Sequence, residues 1–248
     1  MMGSLSGSVA VVSGASSGIG AAIALRLATA GARVALVARR PDALAEVAAR
    51  IPDGAVCVPA DLTVTGAADD MVRRVIDECG RLDVLVNNAG EARVGPIVGA
   101  DRGDWARMVD LNLEATMALS WAALPHLLDA ARGPRGVADL VSVASIAGRR
   151  VQAGAGVYAA TKAAVLAFSE SLRQEVTARH VRVGTILPGA VRTEAAVLAS
   201  RRAGRDTRDA PAPYLDVDDI AGAVEFIVTR PPRMAVNEMI VRPTEQES

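Results

Sequence analysis

Short runs of β-branched and aliphatic residues recur along the chain, and each is followed by a longer Ala- and Leu-rich stretch with helical spacing. Val9 to Ser13, Arg33 to Val37, Ala55 to Pro59, Val84 to Asn87, Leu140 to Val143, Val181 to Leu187 and Met239 to Val241 read as strands. Most of these runs are continuously apolar instead of alternating with polar residues, which is the pattern of strands covered on both faces. Ile19 to Ala30, Asp42 to Arg50, Ala67 to Cys79, Asp104 to Ala131, Ala159 to Arg179 and Val217 to Val228 read as helices. Strands alternating with helices predict an α/β fold: a doubly wound parallel sheet of about seven strands with helices on both faces. No connection reads as a linker, so residues 1–248 are expected to form a single domain. The stretch 192–214, where basic residues, Asp and two prolines break the periodicity, is expected to be a mobile substrate loop.

Composition narrows the picture. Hydrophobic residues make up 51% of the chain but aromatics only 2%, so the core must be built from Ala, Val, Leu and Ile. A net charge of −1 provides no global field for nucleic acid or an anionic membrane surface, and neither is expected as a partner. No apolar run is long enough to span a bilayer, and the first eight residues lack the pattern of an export signal. A cytoplasmic protein is the expectation. Cys57 and Cys79 are too few for a disulfide framework. No Cys/Asp/Glu cluster accompanies His126 or His180 at metal-ligand spacing, so no metal is expected.

The first strand runs into Ser13-Gly14-Ala15-Ser16-Ser17-Gly18-Ile19-Gly20, and an Ala-rich helix follows at once. Small residues at such a turn let a pyrophosphate approach backbone N–H groups at the positive end of a helix, as in Rossmann-type folds. Gly14, Ser16, Ser17, Gly18, Ile19 and Gly20 are therefore candidate cofactor-binding residues. The second strand leads to Arg39-Arg40. An acidic residue there would bond the adenosine ribose and repel a 2′-phosphate, whereas two arginines offer that phosphate charge-assisted contacts. NADP(H) is the predicted cofactor.

Tyr158 and Lys162 are four apart at the beginning of a helical segment, on one face and within reach of a common ligand. A free phenol titrates near pH 10, and a neighbouring ammonium would lower that value toward the working range of a general acid/base. Ser145 follows the fifth strand at the carboxyl edge, where doubly wound sheets bind ligands. Ser142, inside the same run, is the competitor. Asn112 is a polar amide among the apolar residues of a helical stretch, which fits a structural or water-holding role.

Taken together, the turn at 13–20, Asp61-Leu62, Asn87-Asn88-Ala89-Gly90, Asn112, Ser145, Tyr158-Ala-Ala-Thr-Lys162 and Pro188-Gly189 with Thr193 resemble the short-chain dehydrogenase/reductase family, in order and spacing. The resemblance covers almost the whole chain. It implies that Asp61 bonds the adenine amino group with Leu62 beside the ring, and that Asn88, Ala89 and Gly90 line the adenosine side. It also implies that Lys162 bonds the nicotinamide ribose, that Asn112 holds a water of a proton relay, and that Pro188, Gly189, Val191 and Thr193 seat the carboxamide. In reduction, Ser145 would steady the developing oxyanion and Tyr158 would supply the proton.

The same resemblance suggests a small carbonyl, alcohol or hydroxy acid substrate. The ending Asn237-Glu-Met-Ile-Val-Arg-Pro-Thr is similar to the branch holding 3-hydroxy acid (serine-type) dehydrogenases and the clavulaldehyde reductase called clavulanic acid dehydrogenase. Arg93, Arg149 and Arg150 are candidates to meet an acidic substrate group. A non-catalytic NADP(H) redox sensor is the alternative function, and a sugar-nucleotide epimerase is disfavoured by chain length. In the family, two long helices commonly pair between subunits, so a homotetramer is expected, with a dimer as second choice.

Overall fold

The structure, a computed structural model, describes residues 4–193 and 214–246, so nearly all of the expected substrate loop lies outside the described residues. Seven parallel strands form one sheet in the order β3-β2-β1-β4-β5-β6-β7. They are β1 (Val9–Ser13), β2 (Arg33–Ala38), β3 (Val56–Pro59), β4 (Val84–Asn87), β5 (Ala138–Val143), β6 (Val181–Pro188) and β7 (Glu238–Val241). Every residue of β1, β4, β5 and β6 is buried, which suits their largely apolar runs; the polar exceptions in β5 and β6 include Asp139 and Arg182, which pair with each other.

The chain winds outward from β1 in one direction and from β4 in the other. The carboxyl ends of this adjacent pair, whose register matches Ala10 with Val84 and Val12 with Val86, therefore mark the topological switch where such sheets bind ligands. Helices cover both faces, giving two separate apolar clusters. One includes Ile23, Leu27, Leu44, Ile220 and Val224, and the other includes Met71, Val75, Leu119, Leu127 and Leu172.

The helices are α1 (Gly18–Thr29), α2 (Pro41–Ala48), α3 (Ala67–Cys79), α4 (Arg102–Val109), α5 (Ala115–Ala130), α6 (Gly156–Val176) and α7 (Val217–Val228). Two of them differ from the sequence reading in ways that bear on the site. The segment read as one helix over Asp104–Ala131 is α4 and α5 joined by a single π turn, Asp110–Glu114, closed by Ala115 N–H donating to Asp110 O. Such turns insert one extra residue and re-aim side chains. Helix α6 begins three residues earlier than read, which puts Tyr158 in its first turn.

At the opposite edge of the sheet, the buried carboxylate of Asp139 accepts from Arg182 at 2.8 and 3.0 Å and from Arg135 at 2.7 Å. Asp83, equally buried, is held by Arg81. The charges that fix the amino ends of the strands are thus remote from the ligand edge.

Candidate active site

The glycine-rich turn is tied directly to the end of β4. Ser13 Oγ accepts the N–H groups of Asn88 and Ala89, both at 3.0 Å, and Asn88 Nδ2 donates to Ser13 O at 2.9 Å. A side chain on Gly20 would overlap Gly14 O, and Gly14 itself has φ +67° with Ala89 Cα 2.9 Å from where a Cβ would stand. These two glycines serve the close approach of turn, helix and strand. Gly18 differs: its φ is +55°, and the nearest group to an added Cβ is Thr193 Cγ2 at 3.7 Å.

The N-terminus of α1 has an extended Ser17 as cap, with no side-chain bond and no acidic residue in the first turn. Its leading N–H groups and the dipole are left to an anion. Arg39 and Arg40 are exposed beside it, and Arg40 Nη2 reaches Ser16 Oγ at 3.4 Å. Asp61 Oδ1 accepts both the Oγ1–H (2.7 Å) and the N–H (3.1 Å) of Thr63. Those bonds, helped by the charges of Arg39 and Arg107, hold its carboxyl below the usual range. Its second oxygen has no partner among the described residues. Leu62 is buried beside it.

Serine, tyrosine and lysine meet at the carboxyl ends of β5 and β6. Ser145 caps the short turn after β5, its Oγ accepting Ala147 N–H at 3.1 Å, and its hydroxyl acts on the Tyr158 phenol. Ser142, by contrast, is 1% exposed within β5 and its hydroxyl has no partner. Gly148 lets α6 approach this turn, since an added Cβ there would lie 3.0 Å from the backbone of Lys162.

Lys162 is buried and its Nζ donates to Val143 O at 3.0 Å, with the Tyr158 ring centroid 5.9 Å away. The expected lowering of the phenol by this ammonium is not what the free protein shows. Burial raises the Tyr158 value, opposed by the Ser145 hydrogen bond, while burial pushes Lys162 down to about 8. The reason is geometric: the ammonium is spent on a strand carbonyl instead of the phenol oxygen.

Asn112 sits in the π turn and is fully buried. Its Oδ1 accepts Glu91 N–H at 2.8 Å, and its Nδ2 donates to Glu91 O at 2.9 Å and Thr161 Oγ1 at 3.1 Å. Both amide hydrogens are therefore committed, and the side chain is first a clamp between the segment after β4 and helix α6. Gly90 is required by this clamp, because an added Cβ would stand 3.0 Å from Asn112 Oδ1 and 3.5 Å from Lys162 Nζ. Neither Glu91 nor Thr161 is distinguished by sequence pattern, since the former acts through its backbone.

Pro188 ends β6, Val191 bridges to Leu215, and Thr193 lies against Gly18, so the segment after β6 reaches the phosphate turn. Two of the arginines on the substrate side have ion-pair partners within the chain. Arg93 pairs with Asp104 (2.7 Å) and Glu91 (3.2 Å), and Arg149 pairs with Glu238 (2.7 Å). Arg93 also lines a cavity with Val94, Ile97, Trp105, Gly156 and Val157, the last two next to Tyr158 in the chain. Among the described residues, no group of His, Cys, Asp and Glu could hold a metal, and no helix is long and apolar enough to cross a membrane.

The chain is similar to known proteins over nearly its whole length. An uncharacterized oxidoreductase of Staphylococcus epidermidis is 37% identical over 238 residues, 95% of this chain and 96% of the relative. A metagenomic short-chain oxidoreductase solved with NADP superimposes with TM-score 0.81 at 34% identity, over 97% of this chain and 99% of that one. An alcohol dehydrogenase from Thermococcus sibiricus, complexed with 5-hydroxy-NADP, gives TM-score 0.86 at 27% identity, over 97% and 98%. The model of the short chain dehydrogenase family matches residues 8–203, a span that contains the phosphate turn, Asn112, Ser145, Tyr158 and Lys162. The chain is therefore an oxidoreductase of the short-chain dehydrogenase family.

Proposed function

We propose that this chain is an NADP(H)-dependent carbonyl reductase and alcohol dehydrogenase acting on a small aldehyde, ketone or hydroxy acid. The carrying observation is Lys162, buried and bonded to Val143 O with the Tyr158 ring 5.9 Å away, beside Ser145 at the carboxyl edge of the sheet. The chain fits the cofactor on its own terms: an uncapped α1 N-terminus and open space at Gly18 for phosphates, and two exposed arginines for a 2′-phosphate. The neighbours solved with NADP support that choice.

Gly14, Ser16, Ser17, Gly18, Ile19 and Gly20 would hold the pyrophosphate, and Arg39 and Arg40 the 2′-phosphate. Asp61 would take the adenine amino group on its unpartnered oxygen, with Leu62, Asn88, Ala89 and Gly90 around the adenosine half. Pro188, Gly189, Val191 and Thr193 would border the nicotinamide end. When bound, the cofactor supplies or accepts the hydride.

The protein's own part is proton and charge management. Burial keeps the Tyr158 hydroxyl protonated, so it is a loaded acid for the oxygen of a carbonyl undergoing reduction. Ser145, which holds the phenol's value down in the free protein, would turn its hydrogen to stabilise negative charge on the same oxygen once substrate is bound. Lys162 holds a positive charge behind them, and Asn112 keeps the β4 segment and α6 in register. We also propose a homotetramer in the cytosol. Trp121 is 71% exposed beside a groove lined by Met117, Leu124, Phe168 and Leu172 between α5 and α6, an apolar face suited to a second copy.

The test is NADPH consumption with a panel of small aldehydes, ketones and 3-oxo acids, comparing wild type with Tyr158→Phe. Turnover that falls about 100-fold or more in the variant supports the assignment. NADPH binding without turnover of any substrate would favour a redox sensor.

A further inference from the structure

The tail beyond β7 folds back over the segment that follows β6. Gly189 N–H donates to Val241 O at 2.7 Å, continuing the β6–β7 ladder. A turn in which Gln246 N–H donates to Pro243 O at 3.0 Å then reverses the chain, and the Gln246 Oε1 accepts Ala190 N–H at 3.0 Å. Gly189 makes room for this. A side chain there would overlap Gln246 Oε1 and come within 3.1 Å of Arg242 Cγ. The glycine thus admits the protein's own tail, whatever else it admits.

We infer that Gln246 is a positioning residue for the nicotinamide end of the cofactor site, acting through Ala190. The inference rests on the cofactor reading proposed above. On its other side the segment 190–192 is held by two backbone bonds to Leu215, from Leu215 N to Ala190 O (2.9 Å) and from Arg192 N to Leu215 O (2.8 Å). The Gln246 side chain supplies the acceptor for Ala190 N–H. Ala190 is only part-exposed, so losing that acceptor frees the peptide plane between residues 189 and 190 to rotate, and Val191 with it. The contact joins residues 56 apart in sequence, and a glutamine near a chain terminus carries no pattern that would single it out.

The experiment compares wild type, Gln246→Ala and Gln246→Glu, the last of which keeps an acceptor oxygen. NADPH affinity is read by fluorescence titration and 2′,5′-ADP affinity by calorimetry. Gln246→Ala is expected to weaken NADPH about fivefold, the scale of one lost hydrogen bond, while 2′,5′-ADP, which lacks the nicotinamide half, binds as before. Gln246→Glu should recover most of the loss. NADPH affinity within twofold of wild type in Gln246→Ala, or an equal loss for both ligands, overturns the inference. Failure of wild type to bind NADPH would sink the cofactor reading instead. Amide exchange at Ala190 in the free protein then decides the clamp alone: faster exchange in Gln246→Ala supports it, and unchanged exchange refutes it.

Discussion

Lys162 Nζ donates to the main-chain carbonyl of Val143 across 3.0 Å, so the last residue of β5 and the second turn of α6 are joined by a buried cation. Val143 is two residues before Ser145, and Lys162 is one helical turn after Tyr158. A single bond therefore holds the serine-bearing and tyrosine-bearing segments against each other. It is energetically poor as a structural device, because one neutral carbonyl compensates little of the desolvation of an ammonium. Burial of a charge at such a cost is characteristic of groups retained for function.

The stability of Lys162→Met should differ from wild type in a pH-dependent way. The lysine titrates at about 8 in the folded protein against 10.5 for an ordinary lysine, so it is the neutral form that folding favours. Below pH 8 both states carry the proton and the burial penalty is complete; between 8 and 10.5 the folded state sheds its proton first and the penalty fades. Removing the charge should thus change stability by about 2 kcal/mol more favourably at pH 7 than at pH 10. The unsatisfied Val143 carbonyl shifts both values equally and leaves the slope intact. Urea denaturation at the two pH values is the check, and parallel profiles for variant and wild type would show that Lys162 is not penalised by burial.

Cofactor choice should lie with the exposed pair after β2. Among the described residues, Arg39 and Arg40 have no carboxylate bonded to them, and Arg40 reaches Ser16 Oγ. Replacing both by Ala should weaken NADPH about 10- to 100-fold, as two charge-assisted contacts are lost, and leave NADH binding within about threefold. Equal losses for the two cofactors would locate the arginines' role in the turn and not in the 2′-phosphate.

Much of this was legible in the chain. Runs such as Val9–Ser13 and Val84–Asn87 are buried strands because nothing polar interrupts them before their last residue, and the Tyr158–Lys162 spacing needs only helical geometry. What escaped has local physical causes. The π turn at Asp110–Glu114 leaves the apolar periodicity of α4 and α5 nearly unbroken, so sequence shows one helix, while Asn112 uses the extra residue to reach Glu91. Arg149 reads as a free charge because its partner, Glu238, is 89 residues away, and of the two partners of Arg93 only Glu91 is near in sequence, Asp104 being 11 residues on. The Gln246–Ala190 bond depends on a reversal of the tail that has no periodic signature at all.

The two kinds of glycine in the phosphate turn can be separated by experiment. At Gly20 a methyl group meets backbone, Gly14 O, and neither can yield without moving β1 or α1. At Gly18 the space is open, with Thr193 Cγ2 at 3.7 Å, and the cost of alanine is that of φ +55°, about 1 kcal/mol for an L-residue in the left-handed region. Gly18→Ala should therefore fold with a slightly lowered midpoint, and its chief defect should be cofactor affinity, since the added methyl enters the space left for phosphate. Gly20→Ala should lose several kcal/mol of stability, on the scale of core overpacking, whether or not cofactor is present. Thermal unfolding of each variant with and without NADPH distinguishes them: a midpoint for Gly18→Ala as low as that for Gly20→Ala would mean that both glycines serve packing alone.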